Sequence, residues 1–192
     1  MSGFGPRGMW YLFAFVSWFL APGVLAAGEE GGFRVIEART RLEAGVYRLD
    51  ANIEFRLSAP VREALLNGVP LVIEIDMEVV EPRRWLPDKG VASLTQGYRL
   101  SYHALSERFL VRNLNTGARR SFGVLEDALL HLGTIRDFPL LDEDLLAPGR
   151  FYMAGLRAGL DIEALPTPVQ MMAYVTPAWW LGSDWYTWPL KP

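Results

Sequence analysis

FRVIEARTRLEAGVYRLDANIEFRL, residues 33–57, is the stretch on which the fold turns. Ile36, Ala38, Thr40 and Leu42 alternate with Glu37, Arg39 and Arg41. Beyond Ala44-Gly45 the alternation resumes, with Leu49, Ala51, Ile53, Phe55 and Leu57 on one side and Arg48, Asp50, Asn52, Glu54 and Arg56 on the other. A period of two marks strands with one buried face. With a turn centred on Ala44-Gly45, the expected antiparallel register sets Ile36 opposite Ile53 and Arg39 opposite Asp50, so that like faces meet.

Working outward, Pro60–Asn67 reads as a short helix, since proline suits the first turn and Gly68 a stop. Leu71–Val80 is a long strand with Ile73, Ile75, Met77 and Val79 on one face and Glu74, Asp76 and Glu78 on the other. The run Leu86-Pro87-Asp88-Lys89-Gly90 is a connection. Tyr98–Ala104 and Phe109–Leu114 read as a second hairpin, and Asn115-Thr116-Gly117 as the next turn. Phe122–Leu132 reads as a helix capped by Ser121, with Val124, Leu125, Ala128, Leu129 and Leu132 as its apolar stripe. Phe151–Leu160 is a further strand, and Val169–Val175 is read as another. The count predicts a mainly β fold, an antiparallel β-sandwich or curved sheet with two short α-helices.

Composition narrows the function. The chain has 192 residues, a net charge of −3 and no cysteine. That excludes disulfide scaffolds, thiolate zinc sites and a cysteine nucleophile. The acidic balance opposes nucleic-acid binding, which draws on a basic face. At the start, Arg7 precedes the apolar run Met9–Ala21, then Pro22-Gly23 and the small residues Val24 and Ala26. This pattern predicts a secretory signal over residues 1–26, cut after Ala26, with 27–192 as one exported domain in the periplasm. The rival reading is an uncleaved anchor in the inner membrane, because Met9–Ala27 carries no charge and nearly spans a bilayer.

Residues 65–78 (LLNGVPLVIEIDME), 82–92 (PRRWLPDKGVA), 98–114 (YRLSYHALSERFLVRNL), 122–133 (FGVLEDALLHLG) and 155–168 (GLRAGLDIEALPTP), with the Trp-rich end, resemble the domain-of-unknown-function family DUF 4390. The resemblance implies an exported protein of Gram-negative envelopes, encoded beside a membrane sensor histidine kinase. It supplies no catalytic residue.

The sequence offers no catalytic constellation. Glu74, Asp76 and Glu78 share a strand face at about 6.6–7 Å spacing, which suits a solvated surface opposite Arg or Lys better than a calcium cage. His103 and His131 stand far apart and outside any zinc motif, and phosphate-binding glycine loops are missing. No metal or cofactor is expected. The candidate binding residues are aromatic and basic: Trp179, Trp180, Trp185, Tyr186 and Trp188 near the C-terminus, and Arg83, Arg84 and Trp85 after the third strand. The C-terminal rings have two readings, a cap on the sandwich core or an exposed platform. The expected function is a non-enzymatic module that binds an envelope or inner-membrane protein such as the kinase. A carbohydrate or peptidoglycan binder is the alternative.

Overall fold

The computed structural model describes residues 31–190. The signal or anchor reading of residues 1–26 lies outside them. The elements are β1 (Gly32–Glu43), β2 (Val46–Arg56), α1 (Ala59–Leu66), β3 (Leu71–Glu81), β4 (Lys89–His103), β5 (Arg108–Asn113) and β6 (Arg119–Phe122). Then come α2 (Leu125–Gly133), β7 (Thr134–Asp142), β8 (Tyr152–Leu160), α3 (Thr167–Val175) and β9 (Tyr186–Leu190). Two antiparallel sheets form, ordered β1-β2-β7 and β6-β5-β4-β3-β8-β9. The mainly β architecture expected from the alternation is present.

The β1–β2 hairpin turns through Ala44 and Gly45, both with positive φ (51° and 78°). That conformation matches the twist of paired strands, and glycine adopts it without strain. Inward residues of β2 (Tyr47, Leu49, Ala51, Ile53, Phe55) share one core with Ile73, Ile75, Met77 and Val79 of β3 and with Tyr152, Ala154, Leu156, Ala158 and Leu160 of β8. The smaller sheet cannot cover all of the larger one. Helix α2 supplies the missing cover, burying Leu125, Ala128, Leu129 and Leu132 and packing against β2, β5, β6 and β7. Along the closed side, the Trp188 indole N–H donates to Thr40 Oγ1 at 3.2 Å, tying β9 to β1 across the sheets.

Several expectations are corrected. Arg39 does face Asp50, but Ile53 faces Val35, not Ile36. A bulge between Val35 and Glu37 changes the phase, so Phe33 and Val35 point inward before it and Ala38 after it. Ile36 becomes the extra residue and is 51% exposed. Leu42, beside the turn, is exposed as well. Val169–Val175 is not a strand but the body of α3, with proline in its first turn, which makes three α-helices among the described residues where two are expected. Ser121 does not cap α2. It lies in β6, where its Oγ accepts from Arg108 Nε at 3.1 Å, and the helix begins after extended Val124. Strand β4 starts at Lys89 rather than Tyr98, and β6, β7 and β9 were not anticipated.

Candidate functional site

The sequence candidates divide into three places. Arg83, Arg84 and Trp85 lie on the β3–β4 loop, where Trp85 is 89% exposed and the Arg84 guanidinium sits 6.0 Å from its ring centre. This loop is at the end of the large sheet where Val80 pairs with Met153, whereas α3 follows Leu160 at the other end. At about 3.3 Å per residue the stretch from Met153 to Leu160 spans roughly 23 Å, so the two clusters do not form one site.

Of the C-terminal rings, Trp179 and Trp188 are buried in the core and Tyr186 is half-buried. Trp179 belongs to a 3-10 turn, Pro177–Trp179, that packs on α1 and α3. Ser58, just before α1, donates its hydroxyl to the Ala178 carbonyl at 2.6 Å and fastens that turn down. The next ring, Trp180, points the other way. It is 61% exposed, and its indole N–H donates to the Ala173 carbonyl at 3.1 Å, which pins the ring against the end of α3.

Around Trp180 lies the surface of α3, the segment whose sequence reads as a strand. In α3 only Ala173 is buried, and Met171, Met172, Tyr174 and Val175 stand exposed. No charged residue occurs between Glu163 and Asp184, so nothing ionic interrupts this surface along the chain. Single exposed apolar side chains are ordinary, but five within ten residues make a patch of the kind that marks interaction sites. Methionines add adaptability, since their flexible thioethers conform to a partner surface. The charge-free run was a signal available in the sequence; its helical form was not.

The third place is the outer face of the large sheet. Asp76 accepts from Thr95 Oγ1 at 2.7 Å and from Arg157 Nε at 3.0 Å, and the Arg157 guanidinium stacks 4.6 Å from the Trp185 ring centre. Gly155 leaves the space this ring occupies, because a Cβ there would sit 3.1 Å from the indole. Thus, among the described residues, Asp76 is the one of the three strand carboxylates with an ion-pair partner. Glu74, paired with Gly97 and Gly159, has its carboxyl pushed up by burial and then by Asp161, Asp76 and Glu163. Among the described residues, no group of three His, Cys, Asp or Glu side chains can hold a metal ion. His103 shares a hydrogen bond of 3.0 Å with Ser106 on an exposed hairpin turn. His131, tilted over Phe122 at 5.2 Å, has its pKa pushed down by burial and by Arg120.

No match was found among curated proteins or solved structures. The family described as Domain of unknown function (DUF4390) matches residues 30–189, nearly all of the described chain, and the protein belongs to that family.

Proposed function

We propose that this chain is a non-enzymatic, protein-binding module of the bacterial envelope, and that it docks its partner through α3 and Trp180. The observation that carries this reading is the uncharged surface formed by Met171, Met172, Tyr174, Val175 and Trp180, left exposed by a domain that has already filled its core. An aromatic ring fixed by its own N–H bond meets a partner with little further loss of entropy. The first partner to test is the outer portion of a membrane sensor histidine kinase, the neighbour that the family resemblance leads us to expect. Replacing Met172 and Val175 together by glutamate puts two charges on the patch without touching a buried residue. The double variant should melt like the parent and lose retention of the kinase segment. Equal retention by both proteins would remove the proposal.

A second reading rests on a separate observation, the Thr95–Asp76–Arg157–Trp185 row on the outer sheet face. Aromatic rings beside fixed polar groups suit sugar stacking and hydrogen bonding. Here Trp185→Ala, and not the α3 double variant, should abolish retention on purified peptidoglycan. Retention unchanged by Trp185→Ala would dismiss it.

A further inference from the structure

Strand β2 is flanked unevenly. On one side it pairs with β1 as far as Arg56, opposite Gly32. On the other, its pairing with β7 stops where Asn52 meets Thr134, because the chain there turns into α2. The Ala51 carbonyl faces the β7 side, where it accepts from Arg136 Nη1 at 3.0 Å. The Ile53 carbonyl faces that side too, and only glycine fits against it, since a Cβ on Gly133 would lie 2.0 Å away. Backbone polar groups alternate along a strand, so those of Phe55 also point that way; Leu57, the first residue past β2, lines the same groove. Among the described residues, nothing pairs with them there.

They face a groove of about 1090 Å³. Leu129 and Leu130 of α2 form one wall, with Leu130 69% exposed, and Arg62 of α1 lies at its margin. Arg34 and Arg56 line the β-sheet side. The groove carries three arginines (Arg34, Arg56, Arg62) against two carboxylates (Glu54, Glu126), hence 3 − 2 = +1, in a chain whose overall charge is −3. Glu54 is shared between Arg34 and Arg56, which leaves both guanidinium groups with donors to spare.

We infer that this groove binds an extended peptide segment of another protein, added as a strand beside the end of β2 from Phe55 onward, with apolar and acidic residues in alternation. Strand addition matches main-chain donors and acceptors and selects sequence by alternate side chains. Residues pointing to the inner face meet Phe55 and Leu129. Those pointing outward meet Arg56, whose cross-strand neighbour on this side is absent among the described residues and for which a carboxylate is the favourable partner. The site is separate from α3 and does not depend on the docking proposed there.

The test uses the protein as purified from the cell envelope, labelled with nitrogen-15, and three acetylated pentapeptides. One alternates valine with glutamate, one alternates valine with lysine, and one is the glutamate peptide N-methylated at alternate amides. The glutamate peptide should shift the Phe55 and Leu57 amide resonances and slow their hydrogen exchange at least tenfold. Lysine or N-methyl substitution should weaken binding at least tenfold, as should Arg56→Gln and Leu130→Glu, both at exposed positions. The Met172→Glu, Val175→Glu double variant should bind the glutamate peptide unchanged, which separates this site from the α3 surface. Equal binding by the N-methylated peptide, shifts confined to α3, or no shift at Phe55 up to millimolar peptide would each overturn the inference.

Discussion

Adjacent residues Trp179 and Trp180 should respond oppositely to truncation. Trp179 is 5% exposed and Trp180 is 61% exposed, although the two share a short segment and the same chemistry. Replacing a buried tryptophan by alanine costs about 3–5 kcal/mol, part transfer and part cavity. For a domain of this size each kcal/mol lowers Tm by about 2–4 °C, so Trp179→Ala should melt about 6–20 °C below the parent. Trp180→Ala loses one indole bond to Ala173, worth about 1 kcal/mol, and should fall by about 4 °C or less. Calorimetry on both variants at neutral pH decides. Equal losses, or a larger loss at Trp180, would refute the division of this tail into a core ring and a surface ring.

The bulge in β1 gives a second contrast: Ile53→Asp buries an unpaired carboxylate and should unfold the domain, whereas Ile36→Asp, at the exposed bulge, should leave far-UV circular dichroism and Tm nearly unchanged. For Glu74, burial and neighbouring carboxylates raise the folded-state pKa above the ordinary 4.5, so stability present at low pH is lost as pH rises through the folded value. Glu74→Gln should therefore raise Tm at pH 7.5, with the gain vanishing below pH 4.5; a gain of equal size at both pH values would contradict the sign. For His131 the shift is downward, so the unfolded chain takes the proton first and stability is lost as pH falls below 6.5. His131→Gln should flatten the decline of Tm between pH 7 and 5, and an unaltered slope would count against it.

What the sequence revealed follows from how much of each element's environment is local. In β2, and in β3 from Ile73 onward, every second residue is buried, because one face meets the core and the other meets solvent, and such strands announce themselves. In β1 a single extra residue reversed the phase, and alternation alone cannot say which of Val35 and Ile36 takes the core. Strand β7 contains Pro139 and sits at a sheet edge, where proline is tolerated but the strand signal is weak. Helix α3 reads as a strand in the sequence because it buries only Ala173 and so shows no 3.6-residue stripe. The same absence of a stripe is what makes it the candidate surface. Trp180 and Trp185 were named from the sequence, but their separation onto a helix cap and a sheet face depends on long-range contacts with Ala173 and Arg157.

The central claim, docking through α3 and Trp180, is tested most directly by isothermal titration of the purified protein into the outer portion of a membrane sensor histidine kinase, the proposed partner. The account predicts saturable binding by the parent. It predicts at least a hundredfold weaker binding by the Met172→Glu, Val175→Glu double variant, with Tm unchanged. Absence of binding by the parent, or equal affinity in parent and variant, would contradict it.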